Sequence, residues 1–144
     1  GDQCEIQWSA GGFDVFDGVP EYFVDAAATT GAMVGTEADP FPSLRQALDN
    51  TPKSSARVFK FKPGTYSGPA NILGARETLA MEAPLALVSA EGAERTAFDC
   101  GGDDGRGLLR LLDSYVSMFW MQGFAVRNCH EAVQVGISRS GKSG

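Results

Sequence analysis

The spacing of hydrophobic positions changes character at Arg57. Before it, apolar residues are irregular. Residues 1–20 are rich in Gly, Asp and aromatics and read as an irregular lead-in with a short strand over 5–8. Residues 21–26 have strand composition, and a loop of small residues runs to Asp39-Pro40-Phe41-Pro42. Ser43 is a good N-cap, because its hydroxyl can accept a free backbone N–H of a first helical turn. Leu44, Ala47 and Leu48 then fall at i, i+3 and i+4, which predicts a short helix over 44–49 with one apolar face. Asn50 and Pro52 end it.

From Arg57 onward, short apolar runs alternate with Gly, Asp and Asn. The predicted strands are 58–62, 70–73, 85–89, 96–99, 108–112, 116–121, 124–128 and 132–135. Many short strands suit a sandwich, a barrel or a solenoid. Taken in threes, Phe98 recurs as Val126 and Leu108 recurs near Val133, a spacing of about 25–28 residues that suits a repeat architecture. The stretch between Leu73 and Leu85 reads as an inserted loop.

Composition narrows the function classes. At 144 residues, 43% hydrophobic and 21% charged, the chain can fold as one domain with a continuous core. Its net charge of −6 argues against nucleic-acid binding, which needs clustered Lys and Arg. No apolar run approaches the ~20 residues of a membrane span. The three cysteines, Cys4, Cys100 and Cys129, and the single histidine, His130, do not make a zinc site. One disulfide and one odd thiol would fit an oxidising compartment.

Three stretches resemble the opening of pectin-lyase-like β-helix proteins. The first combines Tyr22-Phe23-Val24-Asp25, Gly35 to Leu48 and Val58 to Tyr66, with the helix as an end cap and Pro63-Gly64-Thr65-Tyr66 as a turn. The second is Gly92 to Gly102, and the third is Gln122 to Cys129. The resemblance covers roughly residues 21–135. It implies an all-β solenoid: a right-handed parallel β-helix of about three coils. The chain then divides into lead-in (1–20), strand, loop and capping helix (21–56), coils (57–136) and a tail or truncated continuation (137–144). The superfamily spans lyases, hydrolases and adhesin-like surface proteins. Asp99-Cys100-Gly101-Gly102 and the following Gly105-Arg106-Gly107 look closer to the surface proteins. No capping helix follows Val135, so the chain reads as the N-terminal part of a longer protein. Alternatively, further subunits cover an open C-terminal end.

The resemblance and period-two alternation place Phe61, Phe98 and Val126 in one inward column, and Phe59, Thr96 and Phe124 in another. Lys62, Asp99 and Arg127 then stack outward, either as a ladder of opposite charges or as part of a glycan-binding groove. Trp120 faces outward if Phe119 and Met121 face in, as a platform for a sugar ring or covered by a loop. Asn128 is expected to turn inward and bond turn backbone. Cys100 and Cys129 end consecutive strands, offset by one position, and are candidates for a bridge. Asp103-Asp104 is a solvated turn or, less readily, a Ca2+ site, which no ligand cluster supports. His130 beside Cys129 makes no dyad on an extended strand, where neighbours point to opposite faces, and would do so only if the strand end turns; Gly141-Lys142-Ser143 lacks the context of a phosphate loop. Lys60 and Lys62 are the strongest basic pair, but no acid–base constellation accompanies them.

Two functions are therefore carried forward. One is a secreted or cell-surface structural, adhesin-like scaffold that meets other protein subunits or glycans. The other is a polysaccharide lyase or hydrolase whose catalytic coils lie beyond residue 144.

Overall fold

A computed structural model of the chain describes residues 3–9, 18–28, 34–73, 79, 82–101, 107–112, 118–129 and 131–136. The protein is mostly β. The strands are β1 (Gln3–Ser9), β2 (Glu21–Val24), β3 (Arg57–Phe61), β4 (Gly64–Ser67), β5 (Leu85–Ser89), β6 (Thr96–Asp99), β7 (Gly107–Leu112), β8 (Phe119–Arg127) and β9 (Glu131–Gly136). Among the described residues one short helix, α1 (Leu44–Asp49), lies between β2 and β3.

Six strands form a parallel sheet in the order β2-β3-β5-β8-β6-β4. The register joins Arg57 to Leu85, Leu85 to Phe119, Gly64 to Thr96 and Phe98 to Val126. β8 serves twice: its first half pairs with β5 and its second half with β6. A separate parallel pair joins β7 to β9, with Leu109 opposite Val133. The expected recurrence of Phe98 as Val126, and of Leu108 near Val133, is present in this register.

The corner within β8 is a single residue. Gly123 has φ +86°, and the antiparallel partner β1 skips it, pairing Ile6 with Phe124 and Gln7 with Gln122. This is a bulge, which bends a strand and increases its twist. A Cβ there would be driven into the Ser89 hydroxyl, which accepts the Gly92 N–H at 3.0 Å.

The core lies between the strands. Rings of Phe61 in β3, Phe98 in β6 and Phe124 in β8 meet at centroid distances of 5.1–5.4 Å. Tyr66 joins them 5.1 Å from Phe61, and its hydroxyl lies 2.7 Å from the Lys62 carbonyl and 3.1 Å from that of Val24. Burial raises this phenol far above its ordinary pKa. α1 behaves as its sequence predicts: Ser43 Oγ accepts the Gln46 N–H at 3.2 Å, and Leu44, Ala47 and Leu48 are buried. Asn71 adds an unforeseen tie. Its Oδ1 accepts the Leu44 N–H at 2.9 Å, and its Nδ2 donates to the Ser67 carbonyl at 3.0 Å.

Several expectations need correction. The lead-in holds a full strand, β1, longer than the predicted 5–8. Residues 64–67 form strand β4 rather than a closing turn; Pro63 immediately precedes it, where the missing N–H costs no ladder bond. Residues 70–73 are not a strand but follow a turn at Gly68. The two runs around 116–128 fuse into β8. Asp103, Asp104, His130 and residues 137–144 lie outside the described residues.

Candidate functional site

The ends of β4 and β6 frame an open cleft of about 430 Å³ lined by Ser67, Gly68, Pro69, Ile72, Asp99, Cys100 and Gly101. Parallel pairing creates it: Ser67 sits opposite Asp99, and Asp99 opposite Arg127. The chain leaves β4, β6 and β8 through a left-handed residue, with φ +81° at Gly68, +84° at Gly101 and +55° at Asn128. Asparagine tolerates this conformation because its short amide bonds locally.

Asp99 is the chemical centre of the cleft. Its Oδ1 accepts the Asn128 amide at 3.1 Å and the Gly101 N–H at 2.9 Å. The Asn128 bond, the Gly101 bond and the charge of Arg127 hold its carboxyl below the ordinary carboxylate value, against a small opposing effect of burial. Asn128 is thus exposed and bound to a carboxylate, not turned inward to the backbone as expected. The buried asparagine bonding turn backbone is Asn71, two residues beyond the Gly-Pro turn.

Cys100, which lines the cleft, forms a disulfide with Cys129, with Cα atoms 4.9 Å apart. The one-position offset in the alignment is absorbed at the chain turn, where the Cys100 N–H donates to the Arg127 carbonyl at 3.0 Å.

Lys62 does not belong to this column. It precedes β4, whereas Ser67 at the end of β4 faces Asp99. Its Nζ donates to the Glu37 carbonyl at 2.9 Å and lies 6.0 Å from the Phe23 ring centroid. Lys60 meets Glu21 at 3.8 Å across the β2–β3 ladder. Trp120 is half-buried on the other face of β3, β5 and β8, against Val58, Ala86 and Val88, with Val19 nearby. Its Nε1 donates to Gln122 Oε1 at 2.9 Å. Of the four residues expected to bind, only Asp99 and Arg127 come together.

Arg57 was not singled out by its sequence context, although its alternation with Phe59 and Phe61 gives its inward parity. It is 1% exposed. Nη1 donates to Thr51 Oγ1 at 2.9 Å, and Thr51 donates to the Ala47 carbonyl in α1. The guanidinium lies 5.6 Å from the Phe59 ring centroid, while Nε and Nη2 have no hydrogen-bond partner among the described residues. Burial pushes its pKa down, with Tyr22 opposing.

Chemically, the cleft offers an ionised carboxylate, a serine hydroxyl and an apolar floor at Ile72. That set suits hydrogen bonding to a ligand rich in hydroxyls. Among the described residues no group of three or more His, Cys, Asp or Glu gathers to hold a metal ion, and no helix is long and apolar enough to cross a membrane. No protein-family model, curated protein or solved structure matches the chain.

Proposed function

We propose that the chain forms a right-handed parallel β-helix of about three coils, similar to the pectin-lyase-like proteins. It acts as a rigid, secreted or cell-surface scaffold that assembles with protein subunits and meets glycans along its side. The observation that carries this reading is the repeated parallel register: β3, β5 and β8 in one row, β4, β6 and the end of β8 in a second, and β7 and β9 in a third. A chain that returns to the same three rows winds as a coil, and parallel crossovers are right-handed in nearly all proteins. The Cys100–Cys129 bridge supports an oxidising, extracellular setting. The Asp99 cleft is the surface offered to glycan hydroxyls, beside Arg127.

The test presents the purified protein to neutral, uronate-rich and sulfated polysaccharides, and follows both retention and release of cleaved products. A scaffold retains at least one class, loses it on Asp99→Asn, and releases no products. Turnover of any polysaccharide would replace this reading with the enzymatic one, and absence of retention by all classes would remove the glycan role.

A further inference from the structure

The sheet contains one strand that breaks its rule. Every pairing along β2-β3-β5-β8-β6-β4 is parallel, but β1 lies antiparallel on the remaining edge of β8, from Gln3 opposite Arg127 to Ser9 opposite Trp120. The first strand of the chain therefore covers the far end of the row from its successor β2. A bare strand edge presents a line of unpaired N–H and C=O groups that recruits other strands. β1 fills that line from Trp120 to Arg127, and its register shift between Ile6 and Gln7 matches the Gly123 bulge.

We propose that the β8 edge is a strand-addition site, closed within one chain by β1 and opened for assembly when β1 of a second copy takes the same place. This deepens the assembly role proposed above and rests on it for its biological setting, but its structural basis is the β1–β8 pairing alone. The occupant is a second copy because the edge demands a particular strand. It must run antiparallel and skip one residue at Gly123, as residues 3–9 of this chain do. In sequence those residues alternate Cys4, Ile6 and Trp8 with polar neighbours, which suits a strand at a sheet edge.

Chain length permits both arrangements. From β1, on the far side of β8, to β2 is four strand spacings, about 19 Å. Residues 10–20 can reach about 35 Å when extended, enough to close β1 on its own chain or to offer it to a neighbour. A short tether gives its own strand an effective concentration of order millimolar. Exchange is therefore expected where copies are crowded, as on a surface, and closure within one chain in dilute solution.

The experiment uses the full chain carrying Gln7→Cys and Gln122→Cys, two positions that face each other across the β1–β8 ladder. Light and isotopically heavy copies are mixed at increasing concentration, oxidised gently, and mapped by peptide mass for the 7–122 link. Exchange yields links between light and heavy chains, their share rising about in proportion to concentration while they remain the minority. As a second measurement, a synthetic peptide of residues 1–11 with Gln7→Cys should be captured by the Gln122→Cys single variant. A 7–122 link confined to single chains at every concentration, with no peptide capture, would overturn the proposal while leaving the fold and the glycan role standing. A folded protein with no 7–122 link of either kind would overturn it by removing the pairing itself.

Discussion

At the scale of single residues, the energetics turn on two charged groups in opposite surroundings. Arg57 is buried, and two of its donor groups have no partner among the described residues, so its charge costs free energy that one bond to Thr51 and the Phe59 ring only partly offset. Replacing it by an apolar side chain of similar length removes that cost. Arg57→Met should leave stability unchanged or raise it by about 1–2 kcal/mol, whereas Arg57→Ala should lose about 2–4 kcal/mol through the cavity it leaves. Denaturant midpoints of the two variants decide this, and a large loss in Arg57→Met would mean that the guanidinium is held more tightly than its bonds show. Asp99 is the converse, a half-exposed carboxylate whose partners favour its charged form. Its folded pKa lies below its unfolded one. The stability it contributes is therefore present above the unfolded value and is lost as pH falls through the folded value. Asp99→Asn should be less stable than the native protein at neutral pH, and the difference should vanish in acid. Thermal melts from pH 7 down to about 2 would show the two curves converging; a constant gap would mean that ionisation of Asp99 plays no part.

At the scale of elements, β8 shows how one glycine shapes a strand. Gly123 holds a positive φ, lets β8 pass from β5 to β6, and leaves room for the Ser89 hydroxyl. Gly123→Ala adds backbone strain and pushes Ser89 away from the Gly92 N–H, and should cost about 2–4 kcal/mol. Gly101→Ala has the strain without the clash, since nothing lies within 4 Å of an added Cβ, and should cost less. Equilibrium unfolding of the pair separates the two contributions. The same glycine explains a limit of sequence reading. Gln122-Gly123 looks like a break between two strands, because a turn glycine and a bulge glycine share one conformation. β5 and β6 are legible to the residue, since Pro84 and Glu91-Gly92 bracket the first apolar run and Glu94-Arg95 and Gly101 the second. β4 is not, because Pro63-Gly64 is turn chemistry and only the pairing of Thr65 with Ala97 makes it a strand. Among the candidate site residues, Asp99 and Arg127 were found because two intact neighbouring strands set their register. Lys62 was misplaced because the column was extended from β6 to β3, and β3 belongs to a different row.

At the scale of the whole molecule, the strands are unequally supported, and this sets the order in which they open. β5 is flanked by β3 and β8, and β8 by β5, β6 and β1, whereas β9 pairs only with β7 among the described strands. A strand with fewer hydrogen-bonded neighbours costs less to open, so opening should start where neighbours are fewest. The disulfide partly corrects this, since Cys129 anchors the chain just before β9 to the end of β6. It also closes a loop across a sequence separation of 29, which on chain-entropy grounds contributes about 3–4 kcal/mol by restricting the unfolded chain. The double variant Cys100→Ser with Cys129→Ser should lose about that much in global stability. It should lose it unevenly. Native-state hydrogen exchange should find the slowest amides of the oxidised protein in β5 and in the part of β8 that faces it. In the variant, protection should fall first in β9 and the end of β8, while β3 and β5 keep most of theirs. An equal loss in every strand would instead identify one cooperative unit, in which the bridge acts on the unfolded chain alone.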